Sequence, residues 1–334
     1  MTRLAATASL IATGALLSVS AYAHHSMSMF DMNKVEVIEG KVAKLEWTNP
    51  HMYLTVETKG PDGKPVLIDG EGLGITQAAV DGLKREDLPP GTPVVVRVNP
   101  NRGGFGKQVR VLDVTTQDGE IHPFYAANTR TRVLTPATSI AGHWAPNRAS
   151  LGAAFGAMAQ FPINDAAKAE KAKDLGNALC YVEPAPFGAV LDELRTIEVS
   201  KNEVVMKFDN TGDKFDRHVR ITDKHAANVK PTRHGDSIGR WEGDTLVVDT
   251  VAFEPSNSGL GASVPSGPAK HTVEKFTLTP DKVRLRYEIT IEDPMYLTAT
   301  ASLTEQWDHR PDLEFTQDTA GCTEGARDKY KQAL

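Results

Sequence analysis

At 334 residues the chain has room for two domains and a sizeable core. Hydrophobic residues at 40% and charged residues at 24% describe an ordinary globular composition and exclude wholesale disorder. Forty-three Asp and Glu against 37 Lys and Arg give a net charge of −6, which argues against a general nucleic-acid or anionic-membrane binder.

Residues 1–23 read MTRLAATASLIATGALLSVSAYA. Arg3 precedes an apolar run from Leu4 to Val19, and Ala21-Tyr22-Ala23 is a small-x-small cleavage site, the pattern of a secretory signal peptide. No later stretch approaches the ~18 apolar residues that a membrane span needs. The expectation is a periplasmic or secreted mature chain beginning at His24, without stable membrane insertion. In that oxidising setting Cys180 and Cys322 favour a disulfide, with two buried thiols as the alternative. Neither sits in a Cys-x-x-Cys, so a metal pair is disfavoured.

Residues 24–117 contain five strand-like runs, at 35–47, 51–57, 65–70, 93–98 and 107–115. Between the third and fourth, Ile75, Ala79, Val80 and Leu83 recur at helical spacing. Turn residues at Gly60-Pro61-Asp62-Gly63, Pro89-Pro90-Gly91 and Asn99-Pro100-Asn101-Arg102-Gly103-Gly104 separate the pieces. The order β-β-β-α-β-β predicts an OB-type small barrel. Residues 118–179 read as a connecting arm, with a helix over 166–178 capped by Asn164 or Asp165.

Residues 180–325 read as β throughout. The clearest strand is 281–292, where Val283, Leu285, Tyr287, Ile289 and Ile291 share one face. Further strands fit at 193–199, 203–209, 214–222, 244–251, 270–278 and 297–307. Gly142-His143-Trp144 resembles the Gly-x-Trp of lipocalin-like first strands, which would start this unit from 140. The fold class is therefore all-β and mainly antiparallel: a small OB-type barrel, a helical arm, and a larger lipocalin-like barrel or sandwich.

Three stretches carry a resemblance over residues 24–115: His24-His25-Ser26-Met27 with Met29-Phe30-Asp31, Trp47-Thr48-Asn49-Pro50-His51, and the Pro-Gly…Asn-Pro-x-Arg-x-Gly run at 90–104. Together they resemble an uncharacterised family of exported bacterial proteins, a domain of unknown function, whose mature chains start His-His-Ser. The second half, through Gly239-Arg240-Trp241-Glu242-Gly243-Asp244-Thr245-Leu246-Val247-Val248-Asp249-Thr250 and Thr290-Ile291-Glu292-Asp293-Pro294, is similar to a second group of uncharacterised secreted bacterial proteins. Cys180 and Cys322 fall where that group places cysteines. The resemblance implies export and architecture, and no settled activity.

The candidate sites are few. A free His24 offers an α-amino group and an imidazole to one metal, and His25 or His51 could complete a three-nitrogen brace suited to copper; a solvated tail is the bland alternative. Gly235-Asp236-Ser237-Ile238-Gly239 is a literal Gly-x-Ser-x-Gly, but a turn and a strand follow it rather than a helix, so a hydrolase elbow is disfavoured. Trp241-Glu242-Gly243-Asp244 reads as a hairpin. An inward Asp249 with one of His271, Glu274 or His218 would make an acid–base pair inside the barrel. His271 and Glu274 lie on opposite faces of one strand unless a bulge intervenes. Trp241 and Tyr287 are the aromatic candidates for a ligand site. The leading functional reading is an exported binding protein for a small apolar or amphipathic molecule, with copper at the N-terminus. Its rival is a periplasmic hydrolase, lyase or isomerase using Asp249, His271 and Glu274. A structural envelope protein with an exposed apolar patch is the third reading.

Overall fold

The computed structural model describes residues 29–48, 51–125, 134–171, 184–190, 194–208 and 216–313. The protein is mainly antiparallel β and forms two barrels. In the first, strands β1 (Glu36–Glu46), β2 (Tyr53–Lys59), β3 (Pro65–Glu71), β4 (Pro93–Asn99) and β5 (Val109–Thr116) close in the order β1-β2-β3-β5-β4. Helix α1 (Ile75–Asp81) lies between β3 and β4, as an OB-type barrel requires. The helical run ends early because Gly82 adopts a left-handed φ of 91° and terminates it. The barrel closes through a short parallel contact, Gly70 with Val109 and Glu71 with Arg110. Its core is Met52, Leu54, Val56, Ile68, Val96, Val98, Val111 and Val114. A short β6 (Ile121–Pro123) pairs antiparallel with β5 inside the segment read from sequence as a connecting arm.

The arm contains two helices. In α2 (Arg148–Met158), Asn147 accepts the Ser150 amide as N-cap. In α3 (Asp165–Lys171), Asn164 accepts the Ala167 amide. Helix α2 packs against the last strand of the second barrel (Ala301–His309), and its Ala154 and Met158 join the core cluster of that barrel.

That barrel has nine strands: β7 (Gly142–Pro146), β8 (Arg195–Val199), β9 (Glu203–Phe208), β10 (Arg217–Ile221), β11 (Asp236–Glu242), β12 (Thr245–Val251), β15 (His271–Leu278), β16 (Arg284–Glu292) and β17 (Ala301–His309). A small hairpin, β13 (Ser256–Gly261) with β14 (Val264–Ser266), rises between β12 and β15 and sends Leu260 and Val264 into the core. The ring is closed, so the sandwich alternative falls. The alternation read from 281–292 holds: Leu285, Tyr287, Ile289 and Ile291 face inward. The last strand begins at Ala301 rather than 297, because Asp293 accepts the Leu297 amide and shapes a turn there. The β11–β12 hairpin turns at Gly243, whose φ of 61° suits a residue without Cβ. Strands β6, β11, β13 and β14 are not among the strands read from the sequence.

Candidate functional site

Three polar clusters and one groove carry the chemistry of the described residues. The first cluster lies inside the large barrel. Period-two alternation on β15 points Thr272, Glu274 and Phe276 inward, and the unbroken register from His271↔Glu292 to Leu278↔Leu285 contains no bulge. Glu274 is fully buried and accepts from both terminal nitrogens of the Arg217 guanidinium, Nη1 to Oε1 at 2.9 Å and Nη2 to Oε2. Tyr287 donates its hydroxyl to Glu274 at 2.9 Å. Arg217 also donates to Thr250 at 2.9 Å and to Ser237 at 3.2 Å. Burial, reinforced by Glu274, holds the Tyr287 phenol well above its ordinary pKa, so it stays a donor. Ser237 is thus an interior strand residue bonded to an arginine and a threonine, in keeping with the disfavoured hydrolase elbow. Around this cluster Phe276, Tyr287 and Trp307 stack at 5.2–5.9 Å between centroids, and Arg195 lies over Trp307 at 4.3 Å. The cavity they leave is about 20 Å³, room for about one water.

The second cluster lies on the barrel's outer rim, where β11 and β15 begin and β12 and β16 end. Here the inward placement expected for Asp249 is corrected. Leu246, Val248 and Thr250 take the interior, which turns Asp249 outward; the unbroken apolar run Leu246-Val247-Val248 had concealed that phase. Asp249 accepts from His271 Nε2 at 3.0 Å and from His225 Nε2 at 2.9 Å. His225 Nδ1 donates to Asp236 at 2.7 Å, and Arg220 donates to both oxygens of Asp236. Burial works against the charged form of Asp249, but the two imidazoles outweigh it and lower its pKa. Glu292 stands 3.6 Å from His271 Nδ1. The expected acid–base set therefore divides: Asp249 and His271 meet outside, while Glu274 sits across the barrel wall. His218 joins neither and pairs with Glu203 on the surface at 3.0 Å. His225, central to the rim, went unnoticed in the sequence because it sits in a connection without periodicity.

The third cluster closes one end of the small barrel. Glu71 is buried and accepts from the Tyr125 hydroxyl at 3.1 Å, with Arg110 stacked on the Tyr125 ring at 3.9 Å. Burial first, and then Glu71, push the Tyr125 phenol up. His51 Nδ1 donates to the Gly72 carbonyl at 2.9 Å, which in the neutral ring leaves the lone pair on Nε2, the atom a metal would need. The other expected ligands, His24 and His25, lie outside the described residues, as do Cys180 and Cys322. Among the described residues no three His, Cys, Asp or Glu side chains group as a metal site. Beside this end, Phe30 is buried and its strap pairs with the β4–β5 loop, Asp31 N to Pro100 O at 2.8 Å and Arg102 N to Met29 O at 2.9 Å.

The groove runs over the outside of the small barrel and encloses about 960 Å³. It forms where β1 changes partners, pairing with β4 from Glu36 to Lys41 and with β2 from Lys41 onward. At Gly40 the β2 backbone comes so close that a Cβ would collide with the Glu57 carbonyl and lie 2.7 Å from Val56. Val37, Val95 and Phe105 line the groove with 59%, 39% and 57% of their surface exposed, and Glu39, Lys41, Glu57 and Lys59 edge it. Of the two expected ligand aromatics, Tyr287 is sealed inside the large barrel and Trp241 is exposed at the end of β11, so they share no site.

The described residues form a two-barrel β protein with a buried polar cluster in the large barrel and an open groove on the small one. Residues 13–110 match the model of a family of unknown function (DUF6152), which covers the small barrel up to the start of β5. No curated protein matches the chain. No described helix is long and apolar enough to cross a membrane.

Proposed function

We propose that this is an exported binding protein that takes a small amphipathic ligand along the outer groove of its small barrel, rather than within the large barrel. The observation that carries this reading is the groove itself. Its ≈960 Å³ lies in the range of small-molecule sites, with exposed Val37, Val95 and Phe105 as apolar surface and charges of both signs at the edge. The cavity beside the Arg217–Glu274 pair inside the large barrel, by contrast, holds about 20 Å³. Export is the part of the reading that rests on the leader-like residues 1–23.

The test titrates the exported protein with 8-anilinonaphthalene-1-sulfonate, an amphipathic fluorescent probe. Saturable one-to-one binding is expected, weakened at least ten-fold by Val37→Asp or Val95→Asp and unchanged by Trp241→Ala. Both valines are exposed, so their replacement leaves the core intact. Equal affinity in all four proteins refutes the groove, and an intact mass that includes residues 1–23 refutes export with cleavage at His24.

A further inference from the structure

We propose that His225 is a proton-operated latch that fastens the β10–β11 connection to the rim of the large barrel. Eight of the nine neighbouring pairs in that barrel are antiparallel, and β10–β11 alone is parallel. A parallel neighbour cannot be reached by a tight turn, so residues 222–235 must leave the barrel edge and return. At the far end backbone bonds hold this crossover: Thr232 N to Ala252 O at 3.1 Å and Glu254 N to Thr232 O at 2.8 Å. Toward its start the side chain of His225 makes the attachment, to Asp236 on β11 and Asp249 on β12.

The geometry dictates the protonation state. Ionised carboxylate oxygens only accept, so ring nitrogens at 2.7 Å and 2.9 Å from two of them must both carry protons. Only the imidazolium does that. In the neutral ring one of the two contacts would set a lone pair against a carboxylate oxygen. The groups packed around the ring fit that form: Arg220 from β10 donates to Asp236, His271 from β15 shares Asp249, and Glu292 from β16 stands near His271. On the crossover itself Asp223 and Lys224 flank His225 in sequence with opposite charges. Burial alone would lower the pKa of His225, but the bonds to Asp249 and Asp236 outweigh it and raise it. A raised folded-state value places the full contribution below the unfolded histidine value of about 6.5, and the contribution is lost as pH rises through the folded value. The latch is closed in acid and opens on the alkaline side.

Hydrogen exchange of the full chain, followed by mass spectrometry from pH 5.5 to 9.5 and corrected for base-catalysed intrinsic rates, reads the latch directly. In the unmodified protein the corrected exchange of 222–235 is expected to rise at least ten-fold across one transition, while Thr245–Val251 stays protected. His225→Gln, which cannot donate from both ring positions, is expected to exchange fast in this segment at every pH. The ring resonances of His225, followed by NMR over the same range, should titrate above the ordinary histidine value. Corrected exchange that stays flat with pH in the unmodified protein, or titration of His225 at or below about 6.5, overturns the proposal whatever the variant does.

Discussion

Replacing Arg217 by methionine takes one half out of a fully buried pair and leaves the other half behind. In the intact barrel Glu274 holds both terminal guanidinium nitrogens and the Tyr287 hydroxyl, and has no exposure to water. In Arg217→Met only Tyr287 remains to satisfy the carboxylate. Two independent routes give the size of the loss. Breaking a buried ion pair from one side typically costs about 3–5 kcal/mol. Alternatively, the orphaned carboxyl takes up a proton; against an ordinary value of about 4.3, holding it neutral at pH 7 costs about 3.7 kcal/mol at about 1.36 kcal/mol per unit. The second route adds a sign. A carboxyl whose folded pKa is raised destabilises the fold as pH climbs above its unfolded value, so the penalty should shrink as pH falls from 7 to 4. Urea unfolding followed by tryptophan fluorescence, with Trp144 and Trp307 buried in this barrel, measures it. The double variant Arg217→Met/Glu274→Gln should recover most of the loss, since the stranded charge is gone. A cost below about 1 kcal/mol at pH 7, or one that does not shrink toward pH 4, refutes this account of the interior.

Two further outcomes follow from contacts already described. Gly40→Ala drives a methyl into the Glu57 carbonyl and Val56, so β1 or β2 must shift; a destabilisation of about 1–3 kcal/mol and a weaker groove are expected, read by denaturant unfolding and by the same fluorescent probe. Asp249 has a lowered folded pKa, so its contribution is present above the unfolded value of about 3.9 and is lost as pH falls through the folded one; Asp249→Asn should therefore be less stable near neutrality and show a flatter acid limb in stability against pH.

Legibility in the sequence tracked how each strand divides its faces. The strand at 281–292 was plain because apolar residues fill one phase and charged residues the other, and the OB-type order was plain because turn residues bracket every strand of the first barrel. Strand β11 was hidden for the opposite reason. Its interior positions are Ser237 and Gly239, neither of which signals burial, and Trp241 at its end is exposed. The interior cluster drew on the same effect: Arg217, Ser237, Thr250 and Glu274 hold inward positions that an apolar pattern would assign to the surface. The phase of Phe276 did carry the needed signal, since two residues earlier on the same face stands Glu274. The rim was less accessible still. His225 meets Asp236 and Asp249 only after a crossover and a hairpin have folded, and no local spacing encodes that meeting.

The two barrels handle closure in different ways, and that difference locates the groove. The large barrel closes evenly, each strand hydrogen-bonded to two neighbours, and fills its interior with aromatic rings around a paired arginine and glutamate. Such a ring has no free edge, and the cavity beside its buried ion pair has room for about one water. The small barrel closes by splitting one strand between two partners, and its last contact spans two residue pairs. The groove flanks that split: Gly40 and Lys41 of β1, Glu57 and Lys59 of β2, and Pro93 and Val95 of β4 all line it. The groove is therefore part of the barrel's own strand geometry. The α1 end of this barrel is also fixed against its neighbour, through the Asp81–Arg148 ion pair and Arg310 donating to the Val80 carbonyl at 3.3 Å. A groove lined largely by paired strands needs little ordering on binding, so under the proposed function its affinity should follow the apolar surface at Val37, Val95 and Phe105 more than any closing motion.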